Sequence, residues 1–123
     1  MATPSQPLDS DALLRAVTDA MVRLHERYYD RPPGSAKSQF MGDDLIACVL
    51  GNVYTDVEKT LIELERGPIV TENRSAFQSA MGDRFIAAVE EVTRRRVVHF
   101  ISSHHVGPDL EIELFFLDGK ADA

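Results

Sequence analysis

A chain of 123 residues, 44% of them hydrophobic, is the size of one domain and fills one modest core. Asp and Glu number 20 against 13 Lys and Arg, a net charge of −7, which argues against nucleic acid and anionic membrane surfaces as partners. A single cysteine, Cys48, excludes an internal disulfide and fits a reducing cytoplasm, and no stretch approaches the ~20 apolar residues needed to span a bilayer.

Residues 1–9 carry Pro4, Pro7 and small polar residues, and read as a disordered tail rather than a signal peptide, because no basic region leads into an apolar run. Asp9 or Ser10 caps a first helix near Asp11, in which Leu13, Val17, Ala20, Met21, Leu24 and Tyr28 form one apolar stripe. Arg31-Pro32-Pro33-Gly34 ends it. Residues 36–41 and 44–50 read as a hairpin turning at Gly42-Asp43, and Leu45 to Leu50 are apolar on both faces, so this strand sits inside the sheet.

Thr55-Asp56-Val57-Glu58 has the pattern of a capping box opening a second helix, whose Val57, Leu61 and Leu64 share a face and which Gly67-Pro68 stops. A longer helix then starts between Pro68 and Ser75 and carries Phe77, Met81, Phe85, Ala88, Val89 and Val92 on one arc. Arg94-Arg95-Arg96 closes it, placed for the helix dipole and for solvation. Val97 to Ile101 is a β-branched and aromatic strand. Leu110 to Leu114 alternates, giving one buried and one wet face, before Phe115, Phe116 and Leu117 break the pattern. Val106 to Asp109 joins these two strands as a second hairpin, and 119–123 is a short flexible tail. The order predicts a two-layer α+β domain over 10–118, with about three helices on a four-stranded antiparallel sheet built from two hairpins.

Five pieces, in this order, carry a resemblance: Tyr29-Asp30-Arg31-Pro32-Pro33-Gly34, the hairpin ending Asp43 to Leu50, Thr55 to Leu61, Phe85 to Thr93, and Phe115-Phe116-Leu117-Asp118. They are similar to the MpsC-like family, named for a Na+-translocating membrane-potential-generating system, over roughly residues 12–118. Members carry a small residue and Pro-Lys-Ser before the first strand, where this chain has Ser35-Ala36-Lys37-Ser38. The resemblance implies an accessory or regulatory domain associated with a cation-transport or membrane-potential system, peripheral to the membrane. It brings no catalytic residues with it.

The residues themselves contain no catalytic constellation. His104-His105 is the most inviting pair for a metal, and Asp109 or Glu111 lies near enough in sequence to complete a site. Adjacent strand residues point to opposite faces, however, and the spacing matches no zinc template, so neither metal nor cofactor is expected. Ser102-Ser103 before His104 lacks the glycine frame of a nucleophile elbow, and Cys48 reads as a buried, inert thiol. The candidate binding surface is Tyr28, Tyr29 and Arg31 on the proline-stiffened loop, with His104 and His105. Two functions follow: a non-enzymatic module that binds a partner protein, or a small-ligand sensor or small enzyme with a pocket between helices and sheet near His99, His104 or His105. Strands apolar on both faces need a second cover, which is either the N-terminal helix or, more economically, a second copy in a two-fold dimer.

Overall fold

The computed structural model describes residues 9–119; the N-terminal tail expected over 1–9 and the C-terminal one over 119–123 lie almost wholly outside them. The elements run α1 (Ser10–Tyr29), β1 (Ser35–Phe40), β2 (Leu45–Gly51), α2 (Asp56–Glu63), α3 (Gly67–Thr93), β3 (Val97–His105) and β4 (Leu110–Leu117). Both hairpins form, and the four strands make one antiparallel sheet in the order β1-β2-β4-β3. This is the α+β architecture that the pattern of helices and hairpins predicts.

Local chemistry sets most boundaries. The Asp9 carboxylate accepts from the Ala12 N–H at 2.8 Å and starts α1, and Asp30, left-handed at φ 59°, ends it. Gly42, at φ 74°, makes the β1–β2 turn. At the start of α2, Thr55 Oγ1 accepts from Glu58 N at 3.2 Å and Glu58 Oε1 accepts from Thr55 N at 2.8 Å, the reciprocal box the sequence spells. Gly67-Pro68 acts differently from the expectation. The break after α2 falls at Leu64 and Glu65, and Pro68 lies in the first turn of α3, where its missing N–H has no intrahelical partner to lose. The apolar stripe of α2 is also not its buried face. Val57 and Leu64 are 72% and 66% exposed, while Glu58, Leu61 and Ile62 turn inward.

The core lies between the three helices and one face of the sheet. Val17, Ala20 and Met21 of α1 and Val70, Phe85 and Val89 of α3 are buried with Ile46, Cys48 and Leu50 of β2 and Phe115 and Leu117 of β4. Thr18 of α1 donates to Ser38 of β1 at 2.7 Å, and Phe85 of α3 stacks on Phe100 of β3, so α1 and α3 cover the same face. Among the described residues α1 therefore does not cover the second face, which was one of its two expected covers. Arg95 pins the sheet end by donating to Asp43 O at 2.7 Å and pairing with Asp44 at 2.5 Å, a structural role more specific than solvation.

Phe85 is 2% exposed within this core, stacked on Phe100. Phe85→Ala is expected to cost ~3–5 kcal/mol, read as a lower midpoint in urea unfolding; a loss near 1 kcal/mol would place it at the surface instead.

Candidate functional site

Strand β4 decides where the unusual chemistry sits. Its period-two alternation puts Glu111 and Glu113 in phase with Phe115 and Leu117, and all four face the helices: Glu111 is 1% exposed and Glu113 is fully buried. Leu110, Ile112, Leu114 and Phe116 face away. The strand thus has two faces as expected, but the carboxylates are on the inner one and the aliphatic residues on the outer.

The groups that receive these carboxylates come from the first half of α3. Val70, Arg74, Gln78, Gly82, Phe85 and Val89 form its buried face. Two polar residues thus continue, at a spacing of four, the same stripe that is apolar further on. Arg74, 1% exposed, donates through Nε and Nη2 to Glu58 at 2.7 and 2.6 Å, and to Val53 O at 2.7 Å. Its Nη1 donates to His25 Nε2 at 3.3 Å and lies 3.5 Å from Glu111 Oε1. The guanidinium carbon stands 3.7 Å from the Tyr29 ring centroid and 5.1 Å from that of Tyr54. His25 accepts from Arg74 and donates from Nδ1 to Arg31 O at 3.0 Å, which fixes it as the neutral Nδ1–H tautomer.

Next to Arg74, Gln78 Nε2 donates to Glu113 Oε1 at 2.5 Å and to Glu111 Oε2 at 3.2 Å, and Ser102 Oγ donates to Glu113 Oε1 at 3.1 Å. His104, the cross-strand neighbour of Glu111, puts Nε2 3.1 Å from Glu111 Oε1, an ion-pair distance without hydrogen-bond alignment. Its side chain is 2% exposed although it stands on an edge strand. A cavity of about 220 Å³ opens beside it, lined by Ser75, Gln78, Ser79, Phe100, Ser102 and His104.

Electrostatics divides the two carboxyl groups. Burial, reinforced by the neighbouring Glu111, pushes Glu113 well above the usual carboxylate range. Burial would push Glu111 up as well, but His104, the Glu113 carboxyl and His25 outweigh it and hold it below. Burial likewise opposes the charge on Glu58, and the Arg74 hydrogen bonds and the Thr55 N–H overcome it and bring Glu58 below its ordinary value. Burial lowers His25. Burial also raises Cys48 to about 11, in keeping with an inert thiol.

The residues singled out by sequence are distributed unevenly. Tyr29 is stacked on Arg74, and Tyr28 accepts from Arg84 Nη1 at 2.6 Å and packs on Phe77. Arg31 donates to Tyr54 O and Asn52 O. Tyr28 and Tyr29, at the end of α1 rather than on the loop, and Arg31 after it therefore close the helix end of the polar cluster. His104 belongs to the cluster itself, while His105 and His99 are exposed, and His99 packs beside Phe116. Arg74, Gln78, Glu58, His25 and Glu113 were not singled out.

A family model described as the Na+-translocating membrane potential-generating system (MpsC) matches residues 10–119. The chain belongs to the MpsC family. No curated protein and no solved structure gives a match. The MpsC match spans both the polar cluster and the whole sheet, so these features lie within the family domain. No helix of the described residues is long and apolar enough to cross a membrane.

The cluster makes stability depend on acid in two windows. His25, faced by Arg74 of α3, Glu111 of β4 and Arg31, is lowered on folding. Its contribution is present above its unfolded value of ~6.5 and is lost as pH falls through the folded one. Glu58, faced by Arg74, is also lowered, so its contribution is present above ~4.3 and lost below. In urea unfolding, the stability gap between wild type and His25→Gln should narrow from pH 7.5 to 5.5. The gap to Glu58→Gln should narrow only below pH ~5; gaps constant with pH would contradict both assignments.

Proposed function

We propose that this MpsC-family domain is a non-enzymatic accessory component of a membrane-potential or cation-transport system, that it acts in the cytoplasm, and that it binds protein through the open face of its sheet. The observation that carries this reading is the composition of that face. Leu45, Ala47 and Val49 of β2 stand against Phe116, Leu114 and Ile112 of β4, with Ile101 of β3 alongside Leu114. Among the described residues no helix packs on them.

Four strands ~4.8 Å apart and about seven residues long at ~3.3 Å each present a projected area on the order of 400 Å². Its apolar part is the strip along β2 and β4 with Ile101, flanked by Lys37 and Gln39 of β1 and by His99, Ser103 and His105 of β3, and contiguous exposed apolar surface marks interaction sites. The charge pattern favours a second copy as the occupant. The chain carries −7, yet the open face holds no carboxylate, because both β4 glutamates point inward. Its charged or titratable members are Lys37, His99 and His105, at positions opposite Val49, Phe116 and Leu110. Two acidic chains can therefore meet there without bringing carboxylates together, and a single patch facing itself across a two-fold axis closes the assembly.

Light scattering at micromolar concentration should give twice the 13.7 kDa chain mass. Leu114→Lys, whose side chain is on the open face, should return a folded monomer. A wild-type species of one chain mass, or a Leu114→Lys dimer, would overturn the reading.

A further inference from the structure

We propose that His104, Glu111 and Glu113 form a binding site for one divalent transition-metal ion of the zinc class. The proposal goes beyond the partner-binding reading and does not depend on it.

The geometry comes first. One ligand atom from each of the three residues lies within 4.8 Å of the others. Zinc binds imidazole nitrogen and carboxylate oxygen at ~2.0–2.2 Å in tetrahedral geometry, which sets ligand atoms ~3.4 Å apart. The 3.1 Å between His104 Nε2 and Glu111 Oε1 is already close to that edge, and the separations to Glu113, at most 4.8 Å, shorten toward it on binding.

The second observation is the pattern of used and unused atoms. Glu111 Oε2 and Glu113 Oε1 are both held by Gln78 Nε2, and Glu113 Oε1 by Ser102 as well. Glu111 Oε1, Glu113 Oε2 and both nitrogens of His104 are buried with no hydrogen-bond partner. Buried polar atoms without partners cost roughly 1–3 kcal/mol each, so several in one place call for an explanation. Here each carboxylate has one oxygen fixed by a donor, while the other meets no aligned donor and faces the cluster, Glu111 Oε1 lying at ion-pair distance from Arg74 Nη1 and His104 Nε2. That is how outer hydrogen bonds orient the ligands of a metal centre.

The donor set selects the class of ion. Nitrogen from imidazole beside carboxylate oxygens suits zinc and its first-row neighbours better than the all-oxygen preference of calcium or magnesium. Arg74, 3.5 Å from Glu111 Oε1, adds a nearby positive charge, but Glu58 balances it with two short hydrogen bonds. The cavity beside His104, about 220 Å³ and lined by Ser75, Ser79 and Ser102, has room for water as the remaining ligand and provides a path of entry.

The test is titration of the chelator-stripped full chain with Zn2+ by calorimetry, with Co2+ as the visible-spectrum probe. One ion per chain should bind and raise the unfolding midpoint. His104→Ala and Glu113→Gln, the latter keeping its hydrogen bond from Ser102, should weaken binding at least a hundredfold, while His105→Ala, on the opposite face, should leave it unchanged. Absence of Zn2+ binding, or binding unaltered in His104→Ala and Glu113→Gln, would overturn the site. If either ligand variant does not fold, X-ray absorption of the Zn2+-loaded wild type decides. One imidazole among oxygen neighbours supports the site, and a sulfur or all-oxygen shell overturns it.

Discussion

The buried guanidinium of Arg74 is the joint on which this fold depends. From one position on α3 it reaches the cap of α2 through Glu58, the segment between β2 and α2 through Val53 O, α1 through His25, and β4 through Glu111. Tyr29 and Tyr54 lie against its faces and exclude water. A charge so enclosed is tolerable only when its donors are met, and every nitrogen of this one has an acceptor within hydrogen-bonding or ion-pair distance. Removing one member leaves the others as unpaired buried charges, at a cost of ~3–5 kcal/mol for a broken buried pair. The three helices therefore hold their relative positions through a polar centre as well as through apolar packing. The capping box of α2 belongs to this centre, since Glu58 Oε1 accepts both from Thr55 N and from Arg74.

The same centre links the inside of the protein to its outside. By drawing Glu111 and Glu113 inward, it sends Leu110, Ile112, Leu114 and Phe116 to the open face. The candidate ion site and the candidate docking face are thus opposite sides of one strand. The apolar outer face follows from the polar inner one, because side chains alternate with a period of two.

Much of the fold was legible in the sequence because its signals are local. The turn glycine of the first hairpin, the box at Thr55 and Glu58, the Asp9 cap and the apolar arc from Met81 to Val92 each act within a few residues. The polar centre is assembled across five elements, and no short window contains it. A signal was nevertheless present. Arg74 and Gln78 continue the i, i+4 stripe of Val70, Gly82 and Phe85, so their burial was implied by the helix period. Glu111 and Glu113 are in phase with Phe115 and Leu117. Alternation alone says that β4 has two faces, and only those last two residues, packed in the core with Ile46, say which is inside. Gly67-Pro68 was misread because a glycine-proline pair serves equally at the end of one helix or the start of the next, and only the short gap after α2 distinguishes them.

The register of β4 shows which force prevails. Slipping the strand by one residue would place Ile112, Leu114 and Phe116 inside and both glutamates in water. Taking these side chains from half-buried to buried would gain about 1 kcal/mol each, a few kcal/mol in all. Phe115 and Leu117, now 0% and 4% exposed, would leave the core and lose about 2 kcal/mol each. The apolar terms nearly cancel, so hydrophobicity does not choose between the registers. The polar contacts and the turn remain. In the slipped register Arg74 keeps His25 and Gln78 keeps Ser102, but Arg74 loses Glu111 and Gln78 loses both of its carboxylate acceptors, while the two glutamates regain water. The observed register is the one in which Arg74 and Gln78 meet the β4 carboxylates, and the turn between β3 and β4 fixes it with them.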